Sequence, residues 1–228
     1  MSDSWEEIDF SHQRSISYAI SGYRLTASDV VACPRFSQVE DIKKRLSIVD
    51  YVTIQGEPGC GKSISVYQAA YDFYNQGYRV FKLINKDTDG LVYLPLISEK
   101  AIYIVDDAQN LPLYIVDKVC EQANNMRKII LTKTLSEKST YESISLTNDD
   151  AVNEIRNDYM NRQAEISQIV HVLDSDIGND FFKTSLEYRL SVAGKAKTPW
   201  QFNYILRGGW QGMRAAYEEV SKHKKVVC

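Results

Sequence analysis

Along this 228-residue chain the spacing of apolar positions changes character, and the change divides the sequence. Residues 1–29 mix serine, tyrosine and charge with weak periodicity, and are read as an N-terminal arm of unclear structure. Val30–Arg35 reads as an extended piece closed by Pro34. Ser37 with Glu40 three residues on forms a capping box, and Val39, Ile42, Leu46 and Val49 follow as an apolar stripe, so a helix is expected over about 38–49. Tyr51–Ile54 has the β-branched and aromatic content of a strand. Tyr67, Ala70, Tyr71 and Tyr74 then fall at i, i+3, i+4 and i+7, one face of an amphipathic helix, with Gly77 suited to its C-terminal turn. Tyr78–Ile84 reads as a second strand, 85–90 as a polar turn and 91–100 as a short helix or turn broken at Pro95. Ala101–Val105 is continuously apolar, the pattern of a strand buried on both faces of a parallel sheet. Val116, Val119, Cys120 and Ala123 mark a covering helix within 113–124, Lys128–Thr134 another buried strand, and Ile144–Leu146 a short fifth.

From Thr147 the strands stop. Thr147 with Asp150 opens a helix whose face is Val152, Ile155 and Tyr159, and Ile166, Ile169, Val170 and Leu173 define another. Phe182, Leu186 and Leu190 resume the pattern up to Gly194. Thr198-Pro199 is a cap followed by proline at the first helical position, Gly208-Gly209 stops that helix, and a last one is expected over about 210–221. An α/β unit over 30–146 is thus followed by a helical subdomain over 147–228.

The chemistry concentrates between the first strand and its helix. Gly56-Glu57-Pro58-Gly59-Cys60-Gly61-Lys62-Ser63 fits G-x-x-x-x-G-K-[ST], the spacing of a phosphate-binding P-loop, or Walker A motif. A polyphosphate needs several backbone N–H groups turned toward it, and Gly56, Gly59 and Gly61 permit that close wrapping. Lys62 supplies an ammonium for the β- and γ-phosphates, and Ser63 a hydroxyl for Mg2+. The helix beginning here directs its positive end at the phosphates, so Ile64 joins the nucleotide-binding set. Asp106-Asp107 ends the buried strand where ligands bind in open α/β sheets, the Walker B position. Asp106 would hold the magnesium, and Asp107 would orient or deprotonate the attacking water. At the end of the neighbouring strand Thr132, Lys133 or Thr134 could sense the γ-phosphate, Thr132 being the leading candidate.

Composition narrows the picture little. The chain is 44% hydrophobic and 25% charged, ordinary for a globular protein. A net charge of −3 gives no overall basic footprint for nucleic acid, and Lys222–Lys225 is a short basic run. No apolar run has the length of a membrane span, and the acidic N-terminus lacks a signal-peptide core. Four cysteines without C-x-x-C spacing point away from zinc and disulfides and suit a reducing cytoplasm. Among them, Cys60 fills a variable loop position. His12, His171 and His223 have no partners at a spacing that supports nucleophilic catalysis.

These motifs resemble the P-loop ATPases of the additional-strand class, which includes AAA+ proteins and STAND ATPases, the signal-transduction ATPases with numerous domains. The resemblance covers about 30–210. It rests on the P-loop, the paired acids, the Lys128–Thr134 strand and two further stretches. Ala32–Leu46 is similar to the segment ahead of such cores, with Arg35 and Glu40 as the candidates near the adenine. Thr198-Pro199-Trp200 is similar to a lid motif whose proline packs on the nucleotide, which implies that role for Pro199. The resemblance implies a five-stranded parallel core in the order 5-1-4-3-2 and a helical lid. It also implies an ATP/ADP switch, coupling lid closure to self-assembly or to a separately encoded sensor or effector, in bacterial signalling or antiviral defence. A DNA-associated AAA+ ATPase of the origin-binding or transposition-helper type is the alternative. A nucleotide-regulated binding module that barely hydrolyses and a small-molecule kinase are weaker readings. For an arginine finger, Arg156, Arg162, Arg189 and Arg207 are available without a basis for choosing.

Overall fold

A computed structural model describes residues 4–84, 92–134, 143–176 and 185–209. The expected turn at 85–90, Phe182, the helix at 210–221 and the basic run at 222–225 lie outside the described residues.

The chain opens with β1 (Trp5–Glu7), a single-turn helix α1 (Ser17–Ile20) and a 3-10 turn at Ala27–Asp29. Then come α2 (Gln38–Leu46), β2 (Tyr51–Gly56), α3 (Lys62–Tyr74), β3 (Arg79–Leu83) and β4 (Ala101–Val105). After α4 (Leu113–Cys120), β5 (Arg127–Thr134) and β6 (Ser143–Leu146) complete the sheet. Helices α5 (Asn148–Asn161), α6 (Gln163–Asp176), α7 (Leu186–Ala193) and α8 (Pro199–Leu206) follow.

The sheet order is β1-β3-β4-β5-β2-β6. Its five parallel strands run in the anticipated order, and the expected count is corrected by one: β1 pairs antiparallel with β3, Trp5 opposite Leu83. Three residues are too few to show a period, so this strand is held by distant contacts. The Trp5 ring meets Tyr103 edge-on at 5.4 Å, its indole N–H donates to the Tyr93 carbonyl at 3.1 Å, and Glu7 accepts a two-pronged bond from Arg79. Arg79 holds the Glu7 carboxyl below its usual range.

Why β4 shows no polar alternation is visible in the packing. Ile102 and Ile104 enter the cluster shared with Ile42, Val52, Ile54 and Ala70, whereas Ala101, Tyr103 and Val105 enter a second with Ile115, Val119 and Ile129. Side chains alternate faces along a strand, and here both faces are covered, by α2 and α3 on one side and α4 on the other. Each aliphatic side chain so buried contributes roughly 1.5–3 kcal/mol. The first cluster continues without a break into Ile16 and Ile20 of the N-terminal segment and Tyr159, Phe202 and Leu206 of the C-terminal helices. The described part of the arm expected at 1–29, from residue 4 on, is thus built into the body of the protein.

Three local expectations are corrected. Ser37 has helical backbone angles (φ −58°, ψ −33°) and makes no cap; its hydroxyl and N–H bond Glu154 of α5, while Glu40 serves Arg35 and Lys43. A side chain that finds a better distant partner leaves the cap unmade. The helix also ends at Leu46, short of 49. Residues 92–97 form no helix; the Tyr103 hydroxyl donates to the Pro95 carbonyl at 2.9 Å, and Gln122 braces Val92 and Leu94. The caps at Thr147 and Thr198 form as read, each hydroxyl accepting a backbone N–H at 3.1 Å.

Candidate functional site

Parallel strands bring their C-terminal ends to one edge. Gly56, Leu83, Val105 and Thr134 therefore finish close together, and the motif residues follow from there. Beyond Gly56 the chain turns through Gly59 (φ 78°) and Gly61 (φ 99°) into α3, left-handed angles that side chains resist. A Cβ on Gly61 would come within 3.1 Å of the Phe36 ring. Gly56 also meets a steric limit set by the fold. Its backbone is not left-handed, but a Cβ there would lie 2.3 Å from the Leu146 carbonyl oxygen and 2.7 Å from the Cys60 sulfur. Gly56→Ala is expected to destabilise the fold by about 1–3 kcal/mol through overpacking, measured by urea unfolding. An unchanged midpoint would show that β6 yields freely.

The Lys62 ammonium is buried and donates to the carbonyls of Gly56 at 3.0 Å and Glu57 at 2.7 Å. These are neutral acceptors, weaker partners than phosphate oxygens. Cys60 lies fully beneath the loop, and burial pushes its thiol up, away from reactivity. Glu57 accepts from the Asn148 amide at the start of α5, tying the loop to the C-terminal helices.

Ser63 and the first acid meet directly. The Ser63 hydroxyl donates to Asp106 Oδ1 at 3.0 Å, and the Thr132 hydroxyl donates to the same oxygen at 2.7 Å. Thr132 accepts the backbone N–H of Asp107 at 2.8 Å, so one buried hydroxyl positions both acids. Asp107 is left-handed (φ 53°, ψ 50°), alone in this among the described non-glycine residues. Such a backbone stores strain of order 1–3 kcal/mol. Gln109 donates to Asp107 Oδ1 at 3.3 Å and accepts from the Thr134 N–H at 3.1 Å, bridging the acid pair to the end of β5. The three residues at that strand end face different ways. Thr132 faces Asp106, Thr134 lines the same cavity, and Lys133 turns to a separate hollow beside Arg45 and Cys120.

That cavity measures about 570 Å³, within the range of small-molecule sites. Pro58, Gly59, Gly61, Lys62, Ser63 and Ile64 wall it on one side, and Asp106, Asp107 and Thr134 on another. Five further residues line it that sequence reasoning missed: Arg24, Leu25, Thr26, Tyr67 and Lys82. Position at the end of a parallel strand was the available signal for Lys82. Arg24 and Thr26 had none, because the N-terminal segment has no readable period. Arg14 holds it in place, pairing with buried Asp29 and bonding the Arg24 carbonyl and the Thr26 hydroxyl.

Arg35 and Pro199 are not brought to the cavity. Arg35 bonds Asp72 at 2.6 Å and Glu40 at 2.6 Å, and Asp72 lies about 15 Å along α3 from Lys62 by helical rise. Burial raises the Asp72 carboxyl, but hydrogen bonds from Arg35 and Lys43 outweigh it and hold the group below its usual value. Pro199 opens α8, next to Trp200, which flanks Gly22. The four candidate arginines also lie elsewhere. Arg162 pairs with Asp158 and Glu165 and donates to the Ala32 carbonyl. Arg189 pairs with buried Asp174 at 2.8 Å, Arg156 packs on Gly194, and Arg207 follows the end of α8.

The donor set fits magnesium. Two hard oxygen donors, Ser63 and Asp106, converge within hydrogen-bond distance. No cluster of three His, Cys, Asp or Glu occurs among the described residues, so a protein-only cage is not offered. Magnesium keeps waters and phosphate oxygens in its shell, and two protein ligands suffice for it. No helix among the described residues is long and apolar enough to cross a membrane.

The family described as Novel STAND NTPase 3 matches residues 35–179, more than half of the chain. No curated protein matches. Among solved structures, the chain is similar to S. cerevisiae Hsp104 in an extended casein complex, with 13% identity and a TM-score of 0.51. That match covers 97% of this chain and 42% of Hsp104, so the chain spans less than half of that protein, and the likeness shows the fold alone. C. elegans PCH-2 matches with 11% identity over 96% of this chain and 75% of its own, at a TM-score of 0.40. A DNA replication initiation factor matches with 14% identity over 91% and 68%, also at 0.40. Neither of these two adds to the assignment.

Proposed function

The chain belongs to the Novel STAND NTPase 3 family, and on that premise we propose that it is a magnesium-dependent ATPase whose nucleotide state switches its shape and assembly. The observation that carries this reading is the shared cavity. Lys62, Ser63, Asp106 and Asp107 open onto one space of nucleotide size. In it, Lys62 leaves the Gly56 and Glu57 carbonyls for the β- and γ-phosphates. Backbone N–H groups at the start of α3 point at the same anion, favoured by the helix dipole. Ser63 and Asp106 hold the metal, which neutralises phosphate charge when bound. Asp107 orients or deprotonates the attacking water, and Thr132 keeps both acids in place.

Residues 30–146 act as the nucleotide-binding core and 147–228 as a lid. The Glu57–Asn148 and Ser37–Glu154 bonds join the two, so a change in the loop reaches α5 directly. Partners are a second copy of the chain or a separately encoded sensor or effector. Calorimetric titration of ATP and ADP with Mg2+, paired with light scattering, tests the reading. Both nucleotides are expected to bind, and ATP to give a larger assembly than ADP. Failure of both to bind removes the nucleotide role; equal mass with either removes the switch.

A further inference from the structure

Two cations that line the cavity, Arg24 and Lys82, are unused by the roles above, and Lys82 is the one paired with an acid of the site. Lys82 stands next to last on β3, and β3 and β2 lie on opposite sides of β4. Lys82 therefore approaches the acids from the side opposite the P-loop. Its ammonium lies 3.6 Å from Asp106 Oδ2, while Oδ1 of that carboxylate takes the Ser63 and Thr132 hydroxyls. The Lys82 ammonium also bonds the Tyr67 hydroxyl and sits 5.2 Å from the centre of that ring. Tyr67 projects from α3, the helix that the P-loop opens.

Asp106 is buried, and a buried carboxylate needs a counter-charge. Lys82 supplies one at the oxygen turned toward it. A divalent cation held by Ser63 and Asp106 supplies a larger one in nearly the same place. Two cations then compete for one carboxylate, and the monovalent one on a flexible stem is the one that moves. Its new partner must be an anion in the same cavity. The loop wraps the phosphates nearer the nucleoside, so the group facing the acids is the terminal phosphate.

We propose that Lys82 reads the terminal phosphate: it neutralises Asp106 when no metal is held there, and it moves to a γ-phosphate oxygen when the metal and a triphosphate are bound. This deepens, and rests on, the nucleotide reading above. Lys82 is thus a specificity determinant that separates triphosphate from diphosphate, with Tyr67 steadying its ammonium.

The test is calorimetric titration of ATP and of ADP, with Mg2+, into wild type, Lys82→Met and Lys82→Arg. Lys82→Met is expected to lose about tenfold or more in ATP affinity, the scale of one charge-assisted hydrogen bond. ADP affinity should change by less than about twofold, and Lys82→Arg should recover most of the ATP loss. Equal losses for both nucleotides, or none for ATP, overturn the proposal and leave the nucleotide reading standing. Wild type that binds neither nucleotide removes both. Should Lys82→Met fail to fold, the wild-type complex with Mg2+ and a non-hydrolysable ATP analogue decides by crystallography. A Lys82 ammonium within about 3.2 Å of a terminal phosphate oxygen supports the assignment; one still paired with Asp106 overturns it.

Discussion

Lys62→Ala is expected to abolish nucleotide binding, with affinity falling about a hundredfold or more. A hydrogen bond to a charged group contributes about 1.5–3 kcal/mol, Lys62 would make at least two to phosphate oxygens, and each 1.4 kcal/mol is tenfold. The fold should survive the change. What Lys62 holds in the nucleotide-free protein are two carbonyls of its own loop, Gly56 and Glu57, and water can replace an ammonium there. Thermal unfolding should therefore shift little while calorimetry shows no binding. Wild-type affinity in the variant would leave the shared cavity without a purpose.

Asp107→Asn is expected to bind ATP normally and turn it over about 10²–10⁴ times more slowly, the usual contribution of a positioned general base. The substitution separates chemistry from architecture. Asparagine tolerates the left-handed backbone that Asp107 adopts. Its amide oxygen can still accept from Gln109, and its N–H can still donate to Thr132. The carboxylate's basicity and its negative charge are lost. Phosphate release under saturating ATP checks it, and wild-type turnover would take the base role from Asp107.

Much of the site was readable in advance because its parts are local. The P-loop is a contiguous stretch in which glycine positions, lysine and serine have assigned places, and the strand before it and helix after it carry their own periods. Asp106-Asp107 could be placed because a strand without polar alternation must be buried on both faces, and its end then falls on the ligand edge. Even so, one reason for glycine at 56 has no local signal. That limit comes from the Leu146 carbonyl of a strand ninety residues on.

Arg35 shows where analogy with a motif gives out. Its surroundings resemble a nucleotide-contacting segment, yet its guanidinium lies against Asp72 and Glu40. Ser37 shows the same for capping: the spacing was right, and Glu154 from α5 took the hydroxyl. In both cases a partner distant in the chain outcompeted the local or inferred one. Lys82, Gln109 and Arg24 went unnoticed for the complementary reason, since each matters only through what stands opposite.

The amino-acid order alone determined the P-loop with its flanking strand and helix and the burial of the central strands, because these depend on neighbours within a few residues. Which side chains share the cavity was decided only when the strands took their order and the N-terminal segment and C-terminal helices packed on the sheet. Tyr67, Lys82 and Asp106 meet across three elements, and no local pattern encodes a meeting whose energy comes from burying charge opposite charge at long range.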